Sequence, residues 1–489
     1  MGPIHDQRGV EQGGPNSSEH YKVYNNEQLS TAQKSGFGTS VAGCQVASVG
    51  QADDTALLSN DIHQLQHLLD LSLIYCRKHH VQLSTSKTKL LLFTKSETDH
   101  TKYVKLLSSL HIGDTSIAFS NTAEHVGVLR SVVSNLPHIL QRIVSHKRAL
   151  AQILCMGMAR RHRANPIASL RAESIFASPV LFSGMASLSL SKSETDTISH
   201  HVKVTTEKLL KLHPKTPEPV VFFLAGRLPG EALLHLKQLT LFGMICRLPG
   251  NILHNIAMQL LMIAKQSDRN WFAEIRNLCY KYNLPHPLLM LKEPLTKHAF
   301  KSLIKTNITD YWQSKLRAHC TELKSLKYFK PQYMSLRKPH PMLQYAQTSF
   351  TINKCITVCR MFSGRFRCGS LLRHFSKQAT GLCELCCTEI EDLTHILVPR
   401  CVHLQDQAEV LLKYAHEKLR SCALANEIFF EIMKSKDDSE KVQMLLDPTV
   451  LPEVISANQA NNAVIPTILC VTVTWCYSMN RRRIKLMGN

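Results

Sequence analysis

Four residues towards the C-terminal end have the types and spacing of a metal centre: Cys383-x2-Cys386-x8-His395-x5-Cys401. Two cysteines at that separation form a knuckle whose thiolates face one point. A histidine and a cysteine further along can complete a tetrahedral zinc site. Protein fills all four positions, so the site reads as closed and structural, with no place left for a substrate. Cys387 is an alternative to Cys386 as the second ligand, and buried cysteines beside an unrelated histidine are the competing reading. Asp53-Asp54 is the second candidate. Adjacent aspartates in a tight turn between strands repel one another unless a cation sits between them. Nucleotidyl transfer uses such carboxylates to hold two Mg²⁺ ions. Taken alone, the dipeptide is an ordinary occupant of a solvated turn.

The segments around these residues have to hold them in place. The apolar run from Val46, the turn at Ala52-Asp53-Asp54 and the run Thr55-Ala56-Leu57-Leu58 predict two strands flanking a carboxylate-bearing turn. Ser59 and Asn60 offer an N-cap, and Ile62, Leu65, Leu68, Leu69 and Cys76 predict an amphipathic helix over 61–78. Further strand-like pieces are Val81–Leu83, Leu90–Phe93, Ile117–Phe119 and Val126–Leu129. Beyond Leu136 the periodicity turns helical over 138–160, 167–189, 195–213, 230–247, 251–265 and 296–325, with breaks at Pro166, Pro179, Pro214, Pro217 and Pro249. Thr394-His395-Ile396-Leu397 reads as the start of a helix carrying the second ligand pair.

In this setting Ala52-Asp53-Asp54-Thr55-Ala56-Leu57-Leu58 resembles the palm signature of LINE-type (non-LTR) retrotransposon reverse transcriptases. Arg8-Gly9-Val10-Glu11-Gln12-Gly13-Gly14-Pro15-Asn16-Ser17 is similar to the preceding motif of that family, which positions nucleotide and template. Val81-Gln82-Leu83-Ser84 leading to Lys87-Thr88-Lys89 resembles the next, whose lysine lies near the nucleotide phosphates. Glu124-His125-Val126-Gly127-Val128 looks like the hairpin that grips the primer strand. Pro179–Gly184 and Leu224–Gly230 are similar to the helical thumb region, where Lys147, Arg148, Arg160, Arg161 and Arg163 would track a duplex backbone. The Cys-His cluster resembles the family's C-terminal knuckle, with a gap before Cys401 one residue longer than usual that Pro399 can absorb in a turn.

The resemblance implies Asp53 and Asp54 as Mg²⁺ ligands with Lys87 beside them, and Gln12, Gly13, Gly14, Pro15 and Gln51 at the nucleotide and template. Gln51 stands where the family has Tyr or Phe, and Asn16-Ser17-Ser18-Glu19 departs from its apolar continuation. The fingers and the first catalytic aspartate belong before the Gln-Gly-Gly-Pro segment, where Asp6 is the only aspartate. The ligand set for two-metal chemistry is therefore expected to be incomplete, costing on the order of a thousandfold or more in rate. The chain is expected to be α+β: a truncated palm over 1–131, a helical thumb over 132–240 and a helical extension over 241–375. A Cys-Cys-His-Cys knuckle over 376–405 and a helical tail over 406–489 complete it. Two alternatives are a host-retained nucleic-acid-binding remnant and an active enzyme from a mis-started gene model.

Composition fits these expectations. The 44% hydrophobic and 19% charged content of the 489 residues is that of a globular chain, and 58 Lys and Arg against 37 Asp and Glu give a net charge of +21. Such an excess suits a polyanionic partner, here RNA and DNA, because each neutralised phosphate releases a counterion. Most of the 16 cysteines are scattered singly, which suits reduced thiols inside the cell, in nucleus or cytoplasm, better than a disulfide framework. The segment Val464–Met479, followed by Arg481-Arg482-Arg483, is short of the roughly 20 apolar residues of a membrane span and reads as a buried C-terminal helix with a basic end. A zinc ion is the structural cofactor expected, with Mg²⁺ only if the chain polymerises. The basic residues Arg360, Arg365, Arg367, Arg373, His374 and Lys377 precede the knuckle and are expected to form a nucleic-acid-docking surface.

Overall fold

The computed structural model describes residues 16–94, 96–106, 110–117, 119–155, 165–263, 265, 270–375, 379–398, 400–435 and 437–488. Helix makes up 65% of the structure, and its strands form small antiparallel pairs, so the class is α+β. In chain order, α1 (Ser17–Lys34) precedes the pairs β1–β2 (Thr39–Val41, Cys44–Val46) and β3–β4 (Ser48–Gln51, Asp54–Leu57). Then come α2 (Ile62–Lys78), α3 (Glu97–Leu106), β5–β6 (Leu110–Ile112, Thr115–Ile117) and β7–β8 (Thr122–His125, Val128–Ser131). From there the chain is helical: α4 (Leu136–Ile153), α5 (Pro166–Ala172), α6 (Ser178–Leu181), α7 (Lys192–Leu209), α8 (Glu218–Ala225) and α9 (Gly230–Cys246). The series continues with α10 (Ile252–Ile263), α11 (Trp271–Lys281), α12 (Pro287–Lys292), α13 (Lys297–Glu322), α14 (Pro341–Tyr345), α15 (Ser349–Arg360) and α16 (Gly369–Phe375). It ends with α17 (Leu393–Leu397), α18 (Gln405–Leu419), α19 (Ala423–Lys434), α20 (Asp438–Leu446), α21 (Pro452–Ala460) and α22 (Val464–Leu486).

The chain divides into two compact units. The first holds the described residues of 1–144, 181–194 and 234–304. Its β3–β4 hairpin pairs Ser48 with Leu57 and Gln51 with Asp54, and the tight turn is closed by Ala52 at φ 52°. Asn25 on α1 donates to the Ala52 carbonyl at 3.2 Å. Gly50 lets the strand approach α1, since a Cβ there would meet Leu29 Cδ1 at 3.0 Å. The apolar face of α2 packs through Leu68 on Ala32 and Ala47, and through Leu69 on Leu90, Leu110, Ile112 and Ile117. The cap of α2 is one residue later than expected. Asp61 Oδ1 accepts the Gln64 N–H at 2.9 Å, while Ser59 Oγ accepts from Asp61 N and Asn60 does not cap. A carboxylate at this position also meets the helix dipole. Val81–Leu83 is not a strand, and Leu90 and Phe119 form a single parallel bridge. The expected strand at Val126–Leu129 is instead the turn and second strand of the β7–β8 hairpin, with Val126 at φ 51° and Gly127 at φ 67°.

The second unit holds the described residues of 145–180, 195–233 and 305–489. Pro179 does not break the chain as expected. It is the second residue of α6, directly after a π-helical stretch, Glu173–Ala177, whose wider turn accommodates a residue without an N–H donor. Gly226 ends α8 at φ 61°, and a Cβ there would collide with the Lys338 backbone. The unit is organised around α22, which buries Ile468, Leu469, Val473, Trp475, Cys476 and Met479 and carries Arg481–Arg483 towards its C-terminal end. It is the buried C-terminal helix that the sequence predicts. No helix among the described residues is long and apolar enough to cross a membrane.

A buried polar chain crosses this unit. Glu173 accepts from His146 Nε2 at 3.1 Å and from Arg227 at 2.8 Å, and His146 Nδ1 lies 3.0 Å from His201 Nε2. Burial, then the neighbouring His146 and Lys147, push the His201 imidazole down to about 4. Its neutral form is therefore the native one. The unfolded chain takes up this proton near pH 6.5 and the folded chain only near 4, so stability should be complete above 6.5 and fall progressively between 6.5 and 4. Solvent screening reduces the effect to on the order of 1–2 kcal/mol. We expect denaturant midpoints of the wild type and of His201→Gln to converge as pH drops through that window; parallel curves would exclude the assignment.

Candidate metal centre

The knuckle is built by local hydrogen bonds. An antiparallel bridge pairs Leu382 with Ile390, and Cys383 N donates to the Glu389 carbonyl at 2.8 Å. The chain turns back between them, with Cys387 N donating to the Cys383 carbonyl at 2.8 Å and Cys387 itself at φ 59°. Asp392 Oδ1 accepts the His395 N–H at 2.8 Å and starts α17, which aims His395 inward. Cys401 follows α17 and is fully buried.

The four donor atoms of Cys383, Cys386, His395 and Cys401 lie within 4.8 Å of one another. Cys383 Sγ and Cys401 Sγ are 4.0 Å apart, and Cys386 Sγ is 3.4 Å from His395 Nε2. A tetrahedral zinc with bonds of about 2.3 Å to sulfur and about 2.0 Å to nitrogen separates its ligands by roughly 3.8 Å and 3.5 Å respectively. The residues present therefore fit the ion. His395 Nδ1 faces Glu389 Oε2 at 3.1 Å, a carboxylate that holds the imidazole in the tautomer offering Nε2 to the metal. Burial pushes the Cys401 thiol up to about 12 and raises that of Cys383 as well. At Cys386 burial is outweighed by hydrogen bonds from Thr388, from backbone N–H groups and from Cys383, and the thiol falls to about 6. A divalent cation supplies the charge that makes the two buried thiols ionise.

The geometry selects Cys386 over Cys387, whose side chain is exposed and nearest the Glu384 carbonyl. The residue that was to absorb the longer gap, Pro399, lies outside the described residues. Several partners escape the sequence. Glu391, between the ligand pairs, is buried and accepts Arg483 Nε at 2.5 Å, Arg483 NH2 at 2.7 Å and Gly369 N at 2.8 Å. Trp475 Nε1 donates to the Leu397 carbonyl at 3.0 Å. The knuckle is thus tied to α22 at two points, Glu391 and Leu397.

The other predicted site residues are less gathered. Asp53 and Asp54 are exposed at the hairpin tip, with exposed Gln51 directly across from Asp54. Tyr21 lies close enough that burial first, and the Asp53 charge second, raise its phenol. Lys87 is exposed in a turn closed onto the Ser84 carbonyl at 3.2 Å, and no hydrogen bond or ion pair joins it to either aspartate among the described residues. Gln12, Gly13, Gly14 and Pro15 fall outside the described residues, as do Arg160, Arg161, Arg163 and Lys377. Lys147 and Arg148 are exposed on α4, and Arg367 and Arg373 are exposed before the knuckle. Arg360, also exposed, donates through Nε and NH2 to the Lys211 carbonyl at 2.9 and 2.7 Å. Comparison with known proteins finds no matching family model and no matching curated protein.

Proposed function

We propose that this chain is part of a LINE-type reverse transcriptase that binds RNA and DNA through its basic helices and a zinc-stabilised knuckle, and that it does not polymerise on its own. The convergence of Cys383, Cys386, His395 and Cys401 carries the reading, because these residues also form the C-terminal motif that the sequence resembles. Exposed Arg367 and Arg373 beside the knuckle and the net charge of +21 suit a phosphate backbone. The likeness to a palm is supported by the hairpin that presents Asp53 and Asp54 beside α1, and by the β7–β8 hairpin at Val126-Gly127. The Cys-His group is the only set of three or more converging metal-ligand types among the described residues. Two-metal nucleotidyl transfer needs at least one more shared ligand.

The test is a pair of measurements on the purified chain. Binding to RNA and to DNA should weaken steeply with salt, with a slope of about −0.7 per phosphate on single strands. Primer extension on an RNA template with Mg²⁺ should yield no incorporation. Salt-insensitive or undetectable binding would refute the nucleic-acid reading, and Mg²⁺-dependent incorporation would refute the loss of polymerisation.

A further inference from the structure

An unassigned opening in the second unit lies where α7 ends. The chain leaves that helix through Lys211 at φ 53° and re-enters at Lys215 at φ 68°, left-handed conformations that cost a non-glycine residue on the order of 1 kcal/mol each. They fold the loop 212–217 back over the helix. The loop is held rigid: Thr216 N and Oγ1 both donate to the His213 carbonyl, at 3.1 and 2.6 Å, and Arg360 clasps the Lys211 carbonyl. Between loop and helix lies a cavity of ≈ 370 Å³.

Its walls and mouth differ in chemistry. Val204, Leu212, Pro214 and Pro217 supply flat apolar surface, and exposed Lys208 and Lys215 stand at the opening. Glu207 also lines it, although only 5% of the residue is exposed. Its Oε1 makes no hydrogen bond among the described residues, even though Lys203 Nζ lies 3.1 Å away as a charge partner.

We propose that this cavity seats one unpaired nucleotide of a single-stranded nucleic acid. The base lies against the proline and aliphatic wall, and the flanking phosphates meet Lys208 and Lys215. The volume sits within the range for small-molecule sites and admits one nucleotide but not a base pair within a stack. Unstacked bases are the part of RNA that proteins read by surface contact and edge hydrogen bonds. Because the loop is braced in advance, little ordering entropy opposes binding. This inference rests on the nucleic-acid reading and adds to it a preference for single strands.

The experiment is fluorescence anisotropy of the full chain with an RNA single strand of about twelve nucleotides and with the same sequence as a blunt duplex. Val204→Phe fills the cavity without changing charge. It is expected to lower single-strand affinity by about tenfold or more, leaving duplex affinity and the salt slope unchanged. Lys208→Glu with Lys215→Glu, both exposed, is expected to weaken single-strand binding and to reduce its salt slope by about 1 to 2, more than the exposed control Lys434→Glu. The inference is overturned if wild type and Val204→Phe agree within twofold on the single strand, or if the double reversal matches the control. If the wild type binds neither probe, the nucleic-acid reading falls with it; unchanged variants in a chain that binds overturn the nucleotide seat alone.

Discussion

Cys383→Ser and Cys401→Ser are each expected to reduce bound zinc from one ion per chain to near none and to unfold the knuckle. Both side chains are buried, and burial alone drives their thiols towards the neutral form, so the ion is what ionises them. Structural zinc sites of this kind bind with about 10–16 kcal/mol of apparent free energy at pH 7, nearly all of it available only to the folded arrangement. Losing one of four ligands should therefore remove at least about 3 kcal/mol from the second unit, and chelation of the wild type should reproduce the effect. Cys387→Ser is the internal control. Its side chain is exposed outside the ligand set, and zinc content and melting temperature should stay at wild-type values. Equal zinc loss in all three variants would mean that the ligand set is wrong.

Breaking the buried pair between Glu391 and Arg483 is the second change with a large expected effect. Their side chains are 3% and 8% exposed and joined by two hydrogen bonds, while the Gly369 N–H also leans on the carboxylate. Glu391→Gln leaves the guanidinium buried without its countercharge, and Arg483→Met leaves the carboxylate with the Gly369 N–H alone. Each should cost about 3–5 kcal/mol, with Glu391→Leu/Arg483→Met recovering much of the loss, since a well-packed apolar pair is often no worse than a buried ion pair. The damage should reach the metal centre, because Glu391 stands between the two ligand pairs and α22 also holds the Leu397 carbonyl through Trp475. Hydrogen exchange should show α17 and α22 losing protection together. Single-variant costs below about 1 kcal/mol, or exchange confined to α22, would mean that the two elements are not coupled.

What could be read from the sequence is what local spacing encodes. The ligand quartet is legible because a knuckle and a capped helical turn are short-range objects, and the carboxylate-bearing hairpin and α2 are legible for the same reason. Cys386 against Cys387 is not decided by spacing. It turns on the positive φ at Cys387, which swings that side chain outward. The cap of α2 was misplaced because Ser59, Asn60 and Asp61 are all capping residue types, and only backbone geometry selects Asp61. Val81–Leu83 has strand-like composition but no neighbouring strand to pair with, and pairing rather than propensity makes a strand. Contacts between distant residues stay hidden. Glu391 meets Arg483 across 92 positions, and His201 meets His146 across 55.

The account stands on the metal centre, and X-ray absorption at the zinc edge of the purified chain tests it most directly. It should show one zinc per chain bound by three sulfurs at about 2.3 Å and one nitrogen at about 2.0 Å, with one sulfur lost or the ion released in Cys401→Ser. A chain that folds with no zinc, or one whose zinc is held by oxygen or by any ligand set that survives Cys401→Ser unchanged, would contradict it.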